Sequence, residues 1–163
     1  MAYSALTVLA VAAFVPLFPT WWEGVAVALA AVSTGGFTPR PDSLESYSRA
    51  AQAATMVACL ATTFSLMAYV RIRRDGPRAA LVESNAARVV ALCLAVSLTA
   101  AGLRLATGGS PAQMTDALLN TLSGVTTVGF SVAPVALRAP VMALILGAMI
   151  MGGGAGSTAG GLK

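Results

Sequence analysis

Between Ala50 and Val70 the chain runs for 21 residues without a charged side chain. A helix rises about 1.5 Å per residue, so about 20 residues cross a hydrocarbon core of about 30 Å. The same helix in water would have no polar face to present. A second run, Val89–Leu103, is also free of charge and reaches Thr107 past Arg104 alone. Met1–Trp22, Ala117–Leu137 and Ala139–Leu162 are uncharged as well. The first of these lacks the basic start and small-residue cleavage site of a signal peptide, and it reads as a span ending near Phe18. Charged residues make up 10% of the 163, against about 25% in soluble domains. A soluble shell cannot be built from so few, and disorder, which needs high charge, is excluded with it. The implied class is an all-α, multi-pass membrane protein.

Composition also removes chemistries. Histidine is absent, which excludes imidazole acid–base catalysis, Ser-His-Asp triads and imidazole metal sites. No nucleophile has a candidate base, so an enzyme is not expected. Cys59 and Cys93 lie inside apolar runs and read as buried thiols. The net charge of +4 is scattered, with no basic stripe for nucleic acid. Arg71, Arg73, Arg74, Arg78 and Arg88 crowd one connection, which the positive-inside rule makes cytoplasmic over 71–88.

Two apolar stretches are too short to cross. Trp22–Val32 amounts to about 16 Å of helix before it meets Ser33-Thr34-Gly35-Gly36-Phe37-Thr38-Pro39-Arg40. Asp116–Val125 likewise meets Thr126-Thr127-Val128-Gly129-Phe130. A half-length helix followed by glycine-rich backbone is a re-entrant segment. Such backbone persists at membrane depth only when protein buries it or when it lines a wet cavity. With 71–88 inside, both segments enter from the outer side.

These stretches repeat with an offset of 93 residues. Val32, Thr34, Gly36 and Phe37 fall on the identical Val125, Thr127, Gly129 and Phe130. Ser33 and Thr38 fall on the hydroxyls of Thr126 and Ser131, and Glu23 falls on Asp116. The acids are expected at the starts of the short helices, where they complement the dipole and face arriving cations. The chain thus divides into a span–half-helix–loop–span unit over 1–75 and a second over 76–163. A cation can shed its water in such loops if successive backbone carbonyls face one axis. That geometry needs φ > 0 at some residues, which glycine adopts cheaply. Gly35, Gly36 and Gly129 are expected to supply it. Ser33, Thr34, Thr126 and Thr127 add hydroxyl ligands or pin the loop. Val128 completes the second lining, and Phe37 and Phe130 wedge each loop against its own unit.

The last twelve residues, Gly152 to Lys163, include Gly152, Gly153, Gly154, Gly156, Gly160 and Gly161, interrupted by Ala155, Ser157, Thr158 and Ala159. A phosphate loop needs Gly-Lys-Ser/Thr after a strand, and here Leu162 separates Gly161 from Lys163. Close helix packing through small residues four apart fits Gly152, Gly156 and Gly160. A third reading is a broken helix: glycine costs about 1 kcal/mol relative to alanine within a helix. An opened polar segment below the loops would obstruct an ion path and act as a gate.

Residues 33–40, 126–131 and 152–163 resemble the Trk/Ktr/HKT superfamily of potassium transporters, and within it the TrkH-type membrane subunit. The resemblance implies a repeated span–pore helix–filter loop–span fold of the potassium-channel type. The two units would correspond to the second repeat and most of the third, about two of four, with the chain ending inside the gating loop. It implies a K⁺ or Na⁺ path through a filter at 33–36 and 126–129, gated by 152–161 and Lys163. Its cofactors would be none beyond K⁺, the transported ion, held at filter carbonyls. Its partners would be the bilayer, a second copy in a homodimer and a cytosolic nucleotide-binding regulator, in the cell's inner membrane. The alternative reading is a truncated, non-conducting membrane fragment or assembly partner.

Overall fold

A computed structural model describes residues 2–62, 86–133 and 139–151. Among these the chain is all helix, with no strand. The order is α1 (Ala2–Phe14), α2 (Trp21–Val32), α3 (Arg49–Thr62), α4 (Ala86–Ala106), α5 (Pro111–Val125) and α6 (Ala139–Met151). The glycine-rich residues 152–163 and the arginine-bearing connection up to residue 85 lie outside the described residues.

The two half-helices start with related signals. Thr20 is extended (φ −129°, ψ 147°) at the N-cap of α2, and Glu23 stands in its first turn. Ser110 caps α5 with a complete capping box. Its hydroxyl accepts from the Gln113 amide (3.3 Å), the Gln113 side chain accepts from the Ser110 amide (3.2 Å), and proline follows at Pro111. This cap starts α5 at Pro111 rather than at Asp116, so Asp116 lies in the second turn instead of at the helix start. The helices have 12 and 15 residues, hence about 18 and about 22 Å, both short of the roughly 30 Å core.

Packing follows chain order. α1 and α3 flank α2, α4 and α6 flank α5, and α3 touches α5 to join the two groups. Gly24 lets α2 close on α1, because a Cβ there would lie 2.9 Å from the Val15 Cα and 3.0 Å from the Phe14 carbonyl oxygen. At Gly124 a Cβ would meet the side chain of Ile145 on α6, at 2.8 Å from its Cγ2. One buried cluster runs through both groups, from Phe14 and Val27 through Leu44 and Met56 to Val125 and Phe130. Phe18 stacks on Phe14 (5.6 Å) and meets Tyr47 edge-on (4.7 Å). Cys59 and Cys93 are buried and unpaired, as expected.

The outer surface stays apolar. Val8 and Leu9 on α1, Val57 on α3, Leu98 on α4 and Ile150 on α6 are exposed, as are Trp21 and Trp22. Among the described residues no helix is long and apolar enough to cross a membrane. The expected span at Ala50–Val70 is described as helix only to Thr62. Gly24→Val forces side-chain atoms into the backbone of α1 and is expected to cost about 2 kcal/mol. Thermal unfolding in detergent should show a lowered midpoint.

Candidate functional site

Both half-helices end in the same way. α2 stops at Ser33, whose backbone is still right-handed (φ −82°). The next residue, Thr34, turns left-handed at φ 55°. Its amide donates to Ala31 (3.3 Å) and the Gly35 amide donates to Ala30 (2.8 Å), the paired bonds of a Schellman cap. α5 stops at Thr126 (φ −74°), and Thr127 follows at φ 58°. The Thr127 amide donates to Gly124 (2.9 Å) and the Val128 amide to Ser123 (3.2 Å). The two caps thus match residue for residue across the repeat.

The left-handed positions recur two residues on. Gly36 has φ 66° and Gly129 has φ 91°. Gly35 does not: the positive φ expected of it falls on Thr34, so position 35 tolerates the side chain that Val128 carries in the second loop. Both loops therefore carry left-handed residues at the same two positions, 34 and 36 in the first and 127 and 129 in the second. The cap needs a left-handed residue next after the helix, and a threonine there is a backbone outlier.

The hydroxyls mostly bind backbone. Ser33 donates to Ala30 (3.4 Å), Thr34 to Ser33 (2.6 Å) and Thr126 to Ser123 (3.1 Å). As donations, these bonds pin the helix ends and spend none of the lone pairs of the hydroxyl oxygens. Phe130 is buried at 3% exposure, but Phe37 is 80% exposed. Phe37 therefore does not wedge its loop inward; its ring stands beside Gly35.

The loops meet. A Cβ on Gly36 would overlap the Val128 carbonyl oxygen, so the first loop passes directly over the backbone of the second. Beyond the loops the Leu44 amide donates to the Ser131 carbonyl (2.8 Å), and the Ser131 amide donates to the Ser43 hydroxyl (3.0 Å). Gln52, buried on α3, donates to the carbonyls of Leu44 (2.8 Å) and Tyr47 (3.2 Å) and orders the intervening turn.

The acids aligned by the repeat are both paired. Glu23 is buried and receives Arg40 Nε at 3.0 Å, with Nη2 at 3.5 Å. Arg40 also reaches the Ser46 hydroxyl (3.0 Å) and covers the Tyr47 ring (4.6 Å). Asp116 pairs with Arg49 at the start of α3, across the junction of the two helix groups. Neither acid is an unpaired charge awaiting a cation. Asn120 was silent in the sequence: its side chain accepts from the Val132 amide (2.7 Å) and donates to Ala133 (3.3 Å). The predicted gate residues, Gly152 to Gly161 and Lys163, lie outside the described residues. Among the described residues no acid or thiol cluster could hold a metal.

Two helix groups, each carrying a short helix that ends in a glycine-containing loop between flanking helices, define an all-helical fold built from two similar units. The chain matches the crystal structure of the potassium transporter TrkH from Vibrio parahaemolyticus with a TM-score of 0.88 at 24% sequence identity. The match covers 98% of this chain and 36% of that one. The chain therefore has the TrkH fold over nearly all its length while spanning 36% of that protein. No family profile matches the chain. No curated protein matches it either.

The Arg40 guanidinium, by hydrogen bonding, holds the Glu23 carboxyl below the usual carboxylate range; burial opposes this, and Thr20 adds further donors. Because the folded pKa lies below the unfolded one, the pair's contribution is complete above the unfolded value. It is lost as pH falls through the folded value. Melting temperatures of the wild-type protein should therefore fall on acidification below about pH 4, and Glu23→Gln should flatten that part of the profile.

Proposed function

We propose that this chain is the pore-forming segment of a potassium uptake transporter, passing K⁺ or Na⁺ through a carbonyl-lined filter. The observation that carries the proposal is the pair of identically capped half-helices whose loops lie against one another in a TrkH fold. Each half-helix directs its C-terminal partial negative charge toward its loop, which favours a cation there. The carbonyls of 33–36 and 126–129 replace hydration water. Units 1–75 and 76–163 act as successive quarters of the wall around the path, and 152–163 form the gate beneath it. Transport, not catalysis, is the role.

Two loops make half of a fourfold ring. Gly36 is covered by the second loop, whereas at the corresponding face of Gly129 none of the described residues beyond its chain neighbours lies within 4 Å of an added Cβ. Further loops of the same kind, from a second copy or from further chain, would cover that face. The exposed apolar side chains of α1, α3, α4 and α6 suit lipid contact in a cell membrane. Trp21 and Trp22 suit the aqueous interface. A homodimer and a cytosolic nucleotide-binding regulator complete the proposal.

The test is growth of a K⁺-uptake-deficient host on limiting potassium, which the chain should rescue together with the loops that complete its ring. Gly36→Ser and Gly129→Ser should both reduce K⁺ preference. The first should be the more severe, because it combines a left-handed φ with overlap on Val128. Equal transport by both variants and wild type would remove the filter assignment.

A further inference from the structure

The two loops share their backbone beyond the filter as well. Thr38 donates its hydroxyl to the Arg40 carbonyl (2.8 Å), and Ser131, at the same register, donates to Ala133 (2.9 Å). The loops part company at the next link. In the first unit the side chain at this position is Arg40, which returns to Glu23 in the first turn of its own half-helix. In the second unit the register of Arg40 holds Ala133, which has nothing to offer Asp116, and Asp116 pairs with Arg49 instead. The return of the second loop is held by Asn120, on the half-helix itself, through the Val132 amide and the Ala133 carbonyl. The first loop cannot use that solution. The register of Val132 holds Pro39, which has no N–H, and the register of Asn120 holds Val27.

We propose that Glu23–Arg40 and Asn120 are equivalent clasps, positioning residues that tie the far end of each loop to its own half-helix and so fix the spacing of its carbonyls. The proposal rests on the filter reading above. The clasp acts at short range: only Phe37, Thr38 and Pro39 separate Gly36 from Arg40. Pro39 has a fixed φ and Thr38 is tied to Arg40, so a displacement of Arg40 is transmitted to the filter. The Tyr47 ring and Ser46 hydroxyl hold the guanidinium from its other side, which leaves one geometry for the return.

The experiment is K⁺ against Na⁺ flux into vesicles containing the purified chain together with the loops that complete its ring. The variants are Glu23→Gln/Arg40→Ala, Arg40→Lys, and the double variant bearing Val27→Asn and Pro39→Val to graft the second clasp onto the first loop. Unfolding midpoints and size-exclusion profiles accompany each. Loss of the pair is expected to lower the K⁺/Na⁺ ratio by about tenfold, a change of about 1.4 kcal/mol in discrimination. Arg40→Lys should give an intermediate ratio, and the graft should recover most of the loss. A wild-type assembly with its ring completed that passes neither ion would remove the filter reading on which the proposal rests. A wild-type ratio in folded Arg40→Lys and in the double variant would overturn the clasp, as would a loss that the graft leaves unrepaired.

Discussion

The contact between Gly36 and the Val128 carbonyl sets the terms for the rest of the molecule. No side chain fits there, so the two loops can lie backbone against backbone only where the first has glycine. That approach requires both half-helices to stop where their loops can meet. It requires α3 to lie between the groups and reach α5. It also requires the turn at 43–44 to bind Ser131. The buried cluster that runs from Phe14 to Phe130 surrounds this junction, and its side chains come from both groups.

The junction is held at some conformational cost. Thr34 and Thr127 sit at φ 55° and 58°, and a left-handed L-residue costs roughly 1–2 kcal/mol. Each cap returns two backbone hydrogen bonds, worth roughly 0.5–1.5 kcal/mol apiece, so the strain and its compensation are of the same size. Threonine in place of the usual glycine therefore persists because the surrounding packing over-determines it, the condition under which strained backbone is found at functional sites. The second unit repeats the arrangement with a longer half-helix and a different set of polar partners. Backbone geometry is thus what the two units hold in common, and side-chain chemistry is what varies around it.

The helices and the repeat were legible because their signals are local. Uncharged runs, half-length apolar segments and the Val-x-Thr-x-Gly-Phe match are all contained within short windows of sequence. The all-helical class and the position of each glycine loop followed from them. The start of α5 is also written in the sequence, where Ser110-Pro111-x-Gln113 is a capping box that overrides the acid at Asp116 as the helix-start signal. The conformations of Thr34 and Gly35 were not legible. Glycine marks where a left-handed residue is cheap, while the helix end decides where one is needed, and here the two differ by one position. The partners of Glu23, Asp116 and Asn120 were hidden for a different reason. Arg40 lies 17 residues from Glu23, and Arg49 lies 67 from Asp116, and nothing in a sequence window announces such pairs. Phe37 and Phe130 look equivalent in the repeat, yet one is exposed and one lies in the buried cluster, a difference that depends on packing and not on local sequence.

The central claim is that the two loops together form one cation-coordinating surface. Crystals of the protein grown in lipid and soaked in Rb⁺ would test it directly by anomalous scattering. The predicted result is a peak within coordination distance of carbonyl oxygens from both 33–36 and 126–129, weakened by competing K⁺. Ordered loops with no peak between them, or Rb⁺ bound only at side-chain carboxylates, would contradict it.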